Sequence, residues 1–172
     1  KIVNGLEVAS NQHSPIIGWS YDGHPIYGPY GYVTQSGGII TQMKSGYSLN
    51  LSVNRPPTAL FPDGFFVEDF TYNNVADQTI LDENNGRYCV TPEFPDGTYA
   101  YFTTINSGAT ESSGPFAGFK KPEFPYLIGK NYRSIPNDFN FKYNSNQNGY
   151  DLQNSGWQRN TQPYNLIEGD TE

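Results

Sequence analysis

The sequence predicts a mainly β fold: a compact antiparallel domain, sandwich-like or barrel-like, with long loops rich in Gly, Pro and Tyr and with little helix. Aromatic residues, which favour strands, make up 16% of the 172 residues. The 18 glycines and 13 prolines favour tight turns. The length suits one domain with a core of its own, together with an extension.

The first strands are predicted before residue 54. An apolar run predicts a short buried strand over Ile16–Tyr21, and a rigid, aromatic-lined loop should continue from it to Tyr32. Residues 39–53 predict one or two weak strands around Gly46. We therefore expect this part of the chain to alternate between short strands and turns.

A Pro-Asp-Gly turn sequence occurs twice, at residues 62–64 and 95–97. Pro fixes φ, and Gly accepts a left-handed conformation, so each copy predicts a tight turn. The residues after each turn have the composition of a strand. We therefore predict strands at Phe65–Val67 and Thr98–Phe102.

The rest of the chain offers weaker signals. Residues 75–83 predict a short helical turn, residues 106–115 a Gly/Ser/Thr-rich loop, and residues 122–129 an edge strand. From the late 130s the composition becomes polar and rich in Asn. We divide the chain into a β domain over residues 1–132 and an extension over 133–172 that wraps the domain or leads to the next module.

Charge and cysteine content exclude some classes of protein. The formal net charge of −7 opposes binding of a nucleic acid through a basic face. No apolar run approaches the roughly 20 residues that a membrane-spanning helix needs. Cys89 is the only cysteine, so no internal disulfide can form. Its strand-like flanks predict a buried, inert thiol.

The sequence offers no complete catalytic set, and we predict that the chain is not an enzyme and needs no cofactor. It has only two histidines and no serine-hydrolase or phosphate-loop motif. A divalent-cation site, for Ca²⁺ or another metal, stays an alternative. Its candidate ligands are Asp22, His24, Asp82 and Glu83.

A contact surface is predicted from the aromatic residues. Loops commonly carry binding residues, and aromatic rings can stack on sugar faces. The candidate residues for a ligand or partner surface are His24, Tyr27, Tyr30, Tyr99 and Tyr101. A glycan-binding module is therefore an alternative function.

Four segments, taken in order, resemble the motifs of the YHYH domain family. Residues 14–30 are similar to its opening motif, and residues 81–86 are similar to its middle motif. Residues 97–102 stand where the family carries its Tyr-His-Tyr-His signature, and residues 124–129 are similar to its closing strand. The resemblance covers roughly residues 13–132 and implies a β domain.

The chain departs from the family pattern at the residues best suited to bind a metal. The two signature histidines would lie two positions apart on a strand and so share one face. Here these positions hold Ala100 and Phe102. Arg87 stands where the family has His, and Asn84 where it has Cys. These departures favour packing over metal chemistry.

This His-poor variant resembles domains of large virion structural proteins of marine tailed phages, of the cyanophage kind. The resemblance implies a tail, baseplate or fibre-like component, located in the virion or, alternatively, extracellular. Its partners would be other virion subunits, further copies of the same chain, and a host-surface glycan. The leading hypothesis is a non-catalytic structural or adhesive domain. A metal-binding or metal-dependent hydrolase domain is an alternative.

Overall fold

The computed structural model of the chain describes residues 11–51, 55–136, 142–144 and 149–151. Within these residues the fold is mainly β, as the sequence predicts, with no α-helix and two single 3-10 turns, at Val67–Asp69 and Gly114–Phe116. The strands in chain order are β1 (Ile16–Trp19), β2 (Pro25–Tyr27), β3 (Tyr30–Thr34), β4 (Gly37–Gln42), β5 (Tyr47–Leu49), β6 (Phe70–Tyr72), β7 (Gly86–Cys89), β8 (Thr98–Phe102), β9 (Ile105–Thr110), β10 (Lys120–Pro122), β11 (Lys142–Asn144) and β12 (Gly149–Asp151).

The central sheet has four strands in the order β1-β2-β8-β7. Strand β2 runs parallel to β8, with Ile26 opposite Tyr101 and Tyr27 opposite Phe102. The other two pairings of this sheet are antiparallel. Strand β8 is thus an inner strand of the sheet.

The remaining strands form two-stranded antiparallel sheets: β3 with β4, β5 with β6, β9 with β10, and β11 with β12. The strands of the described residues close no barrel. The chain divides into two compact units, Lys1–Ser134 and Ile135–Glu172. The described part of the second comprises residues 135–136 and the paired strands β11 and β12. No helix in the described part of the chain is long and apolar enough to cross a bilayer.

The two faces of the central sheet each cover an apolar cluster. Strands β2 and β8 contribute different residues to each cluster, because their side chains alternate between the two faces. The larger cluster comprises Tyr27, Met43, Leu81, Cys89, Ala100 and Phe102. The smaller comprises Ile26, Tyr99 and Tyr101, with Ile128 packed against it.

Several sequence predictions are confirmed. The strand after the second Pro-Asp-Gly turn is β8, and Gly64 and Gly97 adopt left-handed φ values of 80° and 94°. Strands β4 and β5 flank Gly46 as expected. Cys89 ends β7 with 1% of its surface exposed, and burial raises the pKa of its thiol. A buried, unreactive thiol is therefore what the fold contains.

Two predictions in the first half are wrong. Strand β1 lies at the edge of the central sheet and is not buried, with Trp19 59% exposed. The predicted loop to Tyr32 contains β2 and the start of β3. Proline is normally excluded from the interior of a strand, so the prolines favoured a loop. Pro25 is, however, the first residue of β2, a position where a missing N–H group is tolerated.

The predicted strand at Phe65–Val67 is also wrong, because this segment bends around a carboxylate. Asp69 Oδ2 accepts hydrogen bonds from the backbone N–H groups of Gly64 (3.0 Å) and Phe66 (3.2 Å). Arg55 Nε lies 2.8 Å from Asp69 Oδ1. The hydrogen bonds from Arg55, reinforced by its charge and by those backbone groups, lower the pKa of Asp69 despite burial.

Three further predictions fail for similar local reasons. Residues 75–83 form turns, because the Asp77 carboxylate accepts the N–H of Thr79 (2.8 Å) and so competes with a helical pattern. Strand β9 occupies residues 106–110, half of the loop predicted over residues 106–115, since it pairs with β10. Of the strand predicted over 122–129, only Pro122 is in β10, and turns follow it. The extension over 133–172 lies mostly outside the described residues.

Candidate functional site: a tyrosine–carboxylate network and the adjoining cleft

Strand β8 places Tyr99 and Tyr101 on one face of the central sheet and Ala100 and Phe102 on the other, as strand geometry requires. All four residues are buried, with exposures between 0% and 6%. The hydroxyl groups of the two tyrosines each reach a carboxylate from a loop. These contacts form a network on one face of β8.

The first carboxylate belongs to Asp22, whose side chain is fully excluded from solvent. Its Oδ2 accepts hydrogen bonds from the hydroxyl of Tyr101 (2.8 Å) and the backbone N–H of Ser134 (3.0 Å). Ser20 Oγ donates to Oδ1. The Tyr101 hydroxyl in turn accepts the backbone N–H of Arg133 at 2.7 Å. Asp22 thus connects strand β8, through Tyr101, to the segment that contains Ser134.

The hydrogen bonds keep Asp22 ionised. Burial acts to raise the pKa of this carboxyl, but donation from Ser20, Ser134 and Tyr101, together with the nearby His24, outweighs it. The pKa therefore lies below its ordinary value. A buried carboxylate with several donors is a stable anion at neutral pH.

The second carboxylate belongs to Asp82. The Tyr99 hydroxyl lies 2.8 Å and 2.9 Å from its two oxygens. Oδ1 also accepts the backbone N–H groups of Asn84 (2.9 Å) and Gly86 (3.1 Å). Burial, followed by the negative charge of Asp82, raises the pKa of Tyr99 far above its usual range. Tyr99 is therefore a hydrogen-bond donor and stays protonated.

His24 lies between the two tyrosines and an exposed serine. Its ring packs edge-on against Tyr99, with centroids 5.2 Å apart, and against Tyr101 at 6.2 Å. Its Nε2 is 2.9 Å from Ser134 Oγ and 4.0 Å from Asp22 Oδ2. In a serine-hydrolase triad the carboxylate holds the ring nitrogen opposite the serine. Here both groups meet the same nitrogen, so this set lacks the triad arrangement.

The four predicted metal ligands are not brought together. Asp22 and His24 are neighbours, but Asp82 lies at the other end of the network, bound to Tyr99. Glu83 lines a separate cleft with Lys130. Among the described residues, no group of three or more His, Cys, Asp or Glu side chains is placed to hold a metal ion.

The opposite face of β8 carries the positions of the altered signature. Arg87 pairs with Ala100 across β7 and β8, and its guanidinium carbon lies 5.8 Å from the centre of the Phe102 ring. The ring of His13 also contacts Phe102, at 5.8 Å between centroids. Burial lowers the pKa of His13. Positions 87, 100 and 102 therefore share one buried face that a histidine also reaches.

The four tyrosines of the predicted contact surface are buried and form no open surface. Tyr27 and Tyr101 are 0% exposed, and Tyr30 and Tyr99 are 7% and 6% exposed. These rings pack within the domain because the segments that carry them are strands of the fold and not open loops. A role for these residues or His24 in binding a ligand stays a prediction.

A cleft of about 580 Å³ opens beside Tyr99. Ligand-binding clefts commonly span roughly 300–1,000 Å³, so the size suits a small molecule. Its wall combines aromatic rings with charged groups of both signs. The lining residues include Asp77, Asp82, Arg87, Tyr88, Tyr99 and Arg133. Tyr88 is 61% exposed, and the guanidinium carbon of Arg133 lies 5.5 Å from the centre of the Tyr99 ring.

Comparison with known families finds a match that covers all four strands of the central sheet. Residues 3–114 match the family described as YHYH protein. The chain belongs to this family. No curated protein and no solved structure matches the chain. In this member of the YHYH family, Tyr99 and Tyr101 of β8 both bind loop aspartates.

Several residues of the site leave no recognisable pattern in the sequence. Ser134 lies 112 positions from Asp22, and Arg133 lies 32 positions from Tyr101. Both donate to the network through backbone N–H groups, which are present in every residue except proline and leave no mark in the sequence. The sequence around Tyr88 likewise predicts a strand but does not show that its side chain is exposed.

Proposed function

We propose that this chain is a non-catalytic structural or adhesive domain of a virion protein of a tailed phage, in a tail, baseplate or fibre-like component. One observation carries the proposal: three tyrosine hydroxyls of the central sheet each bind a loop carboxylate. Tyr101 binds Asp22, and Tyr99 binds Asp82. Tyr27 donates to Glu93 at 2.9 Å.

These bonds support a scaffold role because they fix loops to the sheet. Burial raises the pKa of Tyr27, Tyr99 and Tyr101, so all three hydroxyls remain protonated donors at neutral pH. Buried polar groups that are fully hydrogen-bonded make a domain rigid and specify one arrangement of its loops. A rigid domain of this kind suits a particle component that must keep its shape.

Exposed aromatic and aliphatic side chains supply surface for neighbouring subunits. Trp19 and Phe65 are 59% and 62% exposed, and Ile39 is 76% exposed. Large exposed apolar groups commonly mark contacts with other proteins when they cluster. Contact with other virion subunits or with further copies of the chain would cover them.

Immunogold labelling of purified virions with an antibody to this domain tests the location. The proposal expects label at one part of the particle and peptides of the chain in its mass spectrum. Virions that contain neither label nor peptides would refute it. Stoichiometric zinc, copper or calcium in the purified protein would instead favour the metal-binding alternative.

A further inference from the structure

We propose that the cleft beside Tyr99 binds an acidic saccharide, meaning a sugar unit that bears a carboxylate or sulfate group. The inference rests on the adhesive part of the proposed function and names the class of ligand. Three features of the cleft carry it: carboxylates that are already engaged, guanidinium groups without an acidic partner, and an exposed aromatic ring.

Both carboxylates of the cleft are engaged within the domain. Asp82 accepts the Tyr99 hydroxyl and two backbone N–H groups, as described above. Asp77 Oδ1 accepts the N–H and the hydroxyl of Thr79, each at 2.8 Å, and its Oδ2 lies 3.9 Å from Lys44 Nζ. Their hydrogen-bonding capacity is thus largely used by the protein, and Lys44 offsets one of the two charges.

The two guanidinium groups of the cleft, by contrast, lack an oppositely charged partner among the described residues. Within the described residues, neither Arg87 nor Arg133 has a carboxylate within 4.0 Å. Arg87 extends from the edge strand β7 on the Ala100 face of the sheet and still lines the cleft. It is only 4% exposed and donates to the backbone carbonyls of Gln78 and Tyr32, which neutralise no charge. A buried cation without a counter-ion is costly, and an anionic ligand would relieve that cost.

The geometry of Arg133 suits recognition of an acid group. Its guanidinium lies against the ring of Tyr99, which restricts its position at the cleft wall. A guanidinium held in this way can bind a carboxylate or a sulfate through paired N–H groups. Arg133 thus supplies a positive charge at the cleft wall, although the chain as a whole carries a net charge of −7.

The remaining lining favours a sugar over a bare anion. Tyr88 presents a ring that is 61% exposed, a flat apolar surface on which a sugar ring can lie. Gln35 and Asn74 also line the cleft, and amide side chains can exchange hydrogen bonds with hydroxyl groups. An aromatic face, amides and a guanidinium together match a sugar that carries an acid.

Isothermal titration of the full chain with matched sugars tests the inference. The probes are glucose, glucuronic acid and glucose 6-sulfate, with acetate and inorganic sulfate as sugar-free anions. The variants are Arg133→Gln and Tyr88→Ala. Their matched controls are Lys121→Gln and Phe116→Ala, which change an exposed cation and an exposed ring outside the cleft.

We expect at least one acidic sugar to bind about tenfold or more tightly than glucose, which is the effect of one charge-assisted hydrogen bond. Arg133→Gln should weaken binding of that sugar about tenfold, Tyr88→Ala should weaken it measurably, and neither control should change it. The comparison of glucuronic acid with glucose 6-sulfate identifies which acid group is bound.

Other outcomes overturn the inference. Equal binding of glucose would refute recognition of the acid, and equal binding of acetate or sulfate would refute recognition of the sugar. Absence of binding by every probe would refute the site, as would variants that bind like the wild type. These results are independent of virion labelling, so the ligand and the location can fail separately.

Discussion

The two faces of strand β8 solve the problem of burial in different ways. On one face, Ala100 and Phe102 are covered by an apolar cluster, and Phe102 stacks on Tyr27 with centroids 5.6 Å apart. On the other face, Tyr99 and Tyr101 bury their rings and direct their hydroxyls to Asp82 and Asp22. The first face contributes dispersion and hydrophobic contacts, whereas the second adds bonds to specific loops.

The difference shows which face can define the shape of the surface. Apolar contacts lack direction and tolerate small shifts, but each tyrosine–carboxylate bond holds one loop at one distance. The altered signature positions lie on the apolar face. The tyrosines that this chain keeps lie on the face that positions Asp22, Asp82 and, through them, the cleft.

Truncation of the apolar face should have the largest effect. Phe102→Ala removes a ring that is 0% exposed and leaves a cavity between Tyr27 and His13. We expect the free energy of unfolding to fall by about 3–5 kcal/mol, measured by urea denaturation. Phe116→Ala, at a ring that is 48% exposed, should change it by less than about 1 kcal/mol. Equal losses in both variants would contradict this account of the core.

Removal of single hydroxyls on the other face should cost less and unequally. Tyr101→Phe leaves the solvent-excluded Asp22 carboxylate without one donor and should cost about 2 kcal/mol. Tyr99→Phe should cost about 1 kcal/mol, because Asp82 is partly exposed and water can replace the lost donor there. Urea denaturation of the two matched variants measures the difference. A larger loss for Tyr99→Phe would mean that Asp82 is the more dependent carboxylate.

The smallest expected effect is a change in the pH dependence of the unfolding free energy. This change tests the contribution of the Asp22 carboxylate alone. Because the folded-state pKa of Asp22 is below its ordinary value of 3.8, the unfolded chain binds more protons in the acid range. Its contribution is present above about pH 4 and is lost as pH falls through the folded-state pKa. Asp22→Asn should therefore be less stable at pH 7 and lose less stability between pH 5 and pH 2.

Denaturation curves at several pH values check this effect. Asp69 and Asp77 also have lowered pKa values, since they accept hydrogen bonds, so the variant should retain part of the acid dependence. A variant with the same dependence as the wild type would show that Asp22 is not a stabilising anion. The comparison would then reduce to two faces that differ only in packing.

Parts of the site could be predicted from local sequence. The alternation of β8 follows from the Pro-Asp-Gly turn and the residues after it, and Asp22, His24, Tyr99, Tyr101 and Asp82 were all identified as candidates. Their arrangement could not be predicted. Local sequence leaves open whether each tyrosine faces solvent or the core, because an aromatic residue in a strand faces one or the other according to which neighbours cover it.

The sequence by itself determined the mainly β class, the left-handed turns at Gly64 and Gly97, the strand that carries Cys89 and the absence of histidine from positions 100 and 102. These features depend on residue type and on neighbours within a few positions. Only the tertiary structure decided that Tyr101 meets Asp22 and that Arg133 lies over Tyr99. Such contacts join residues tens of positions apart, and their partners include backbone groups that every sequence supplies.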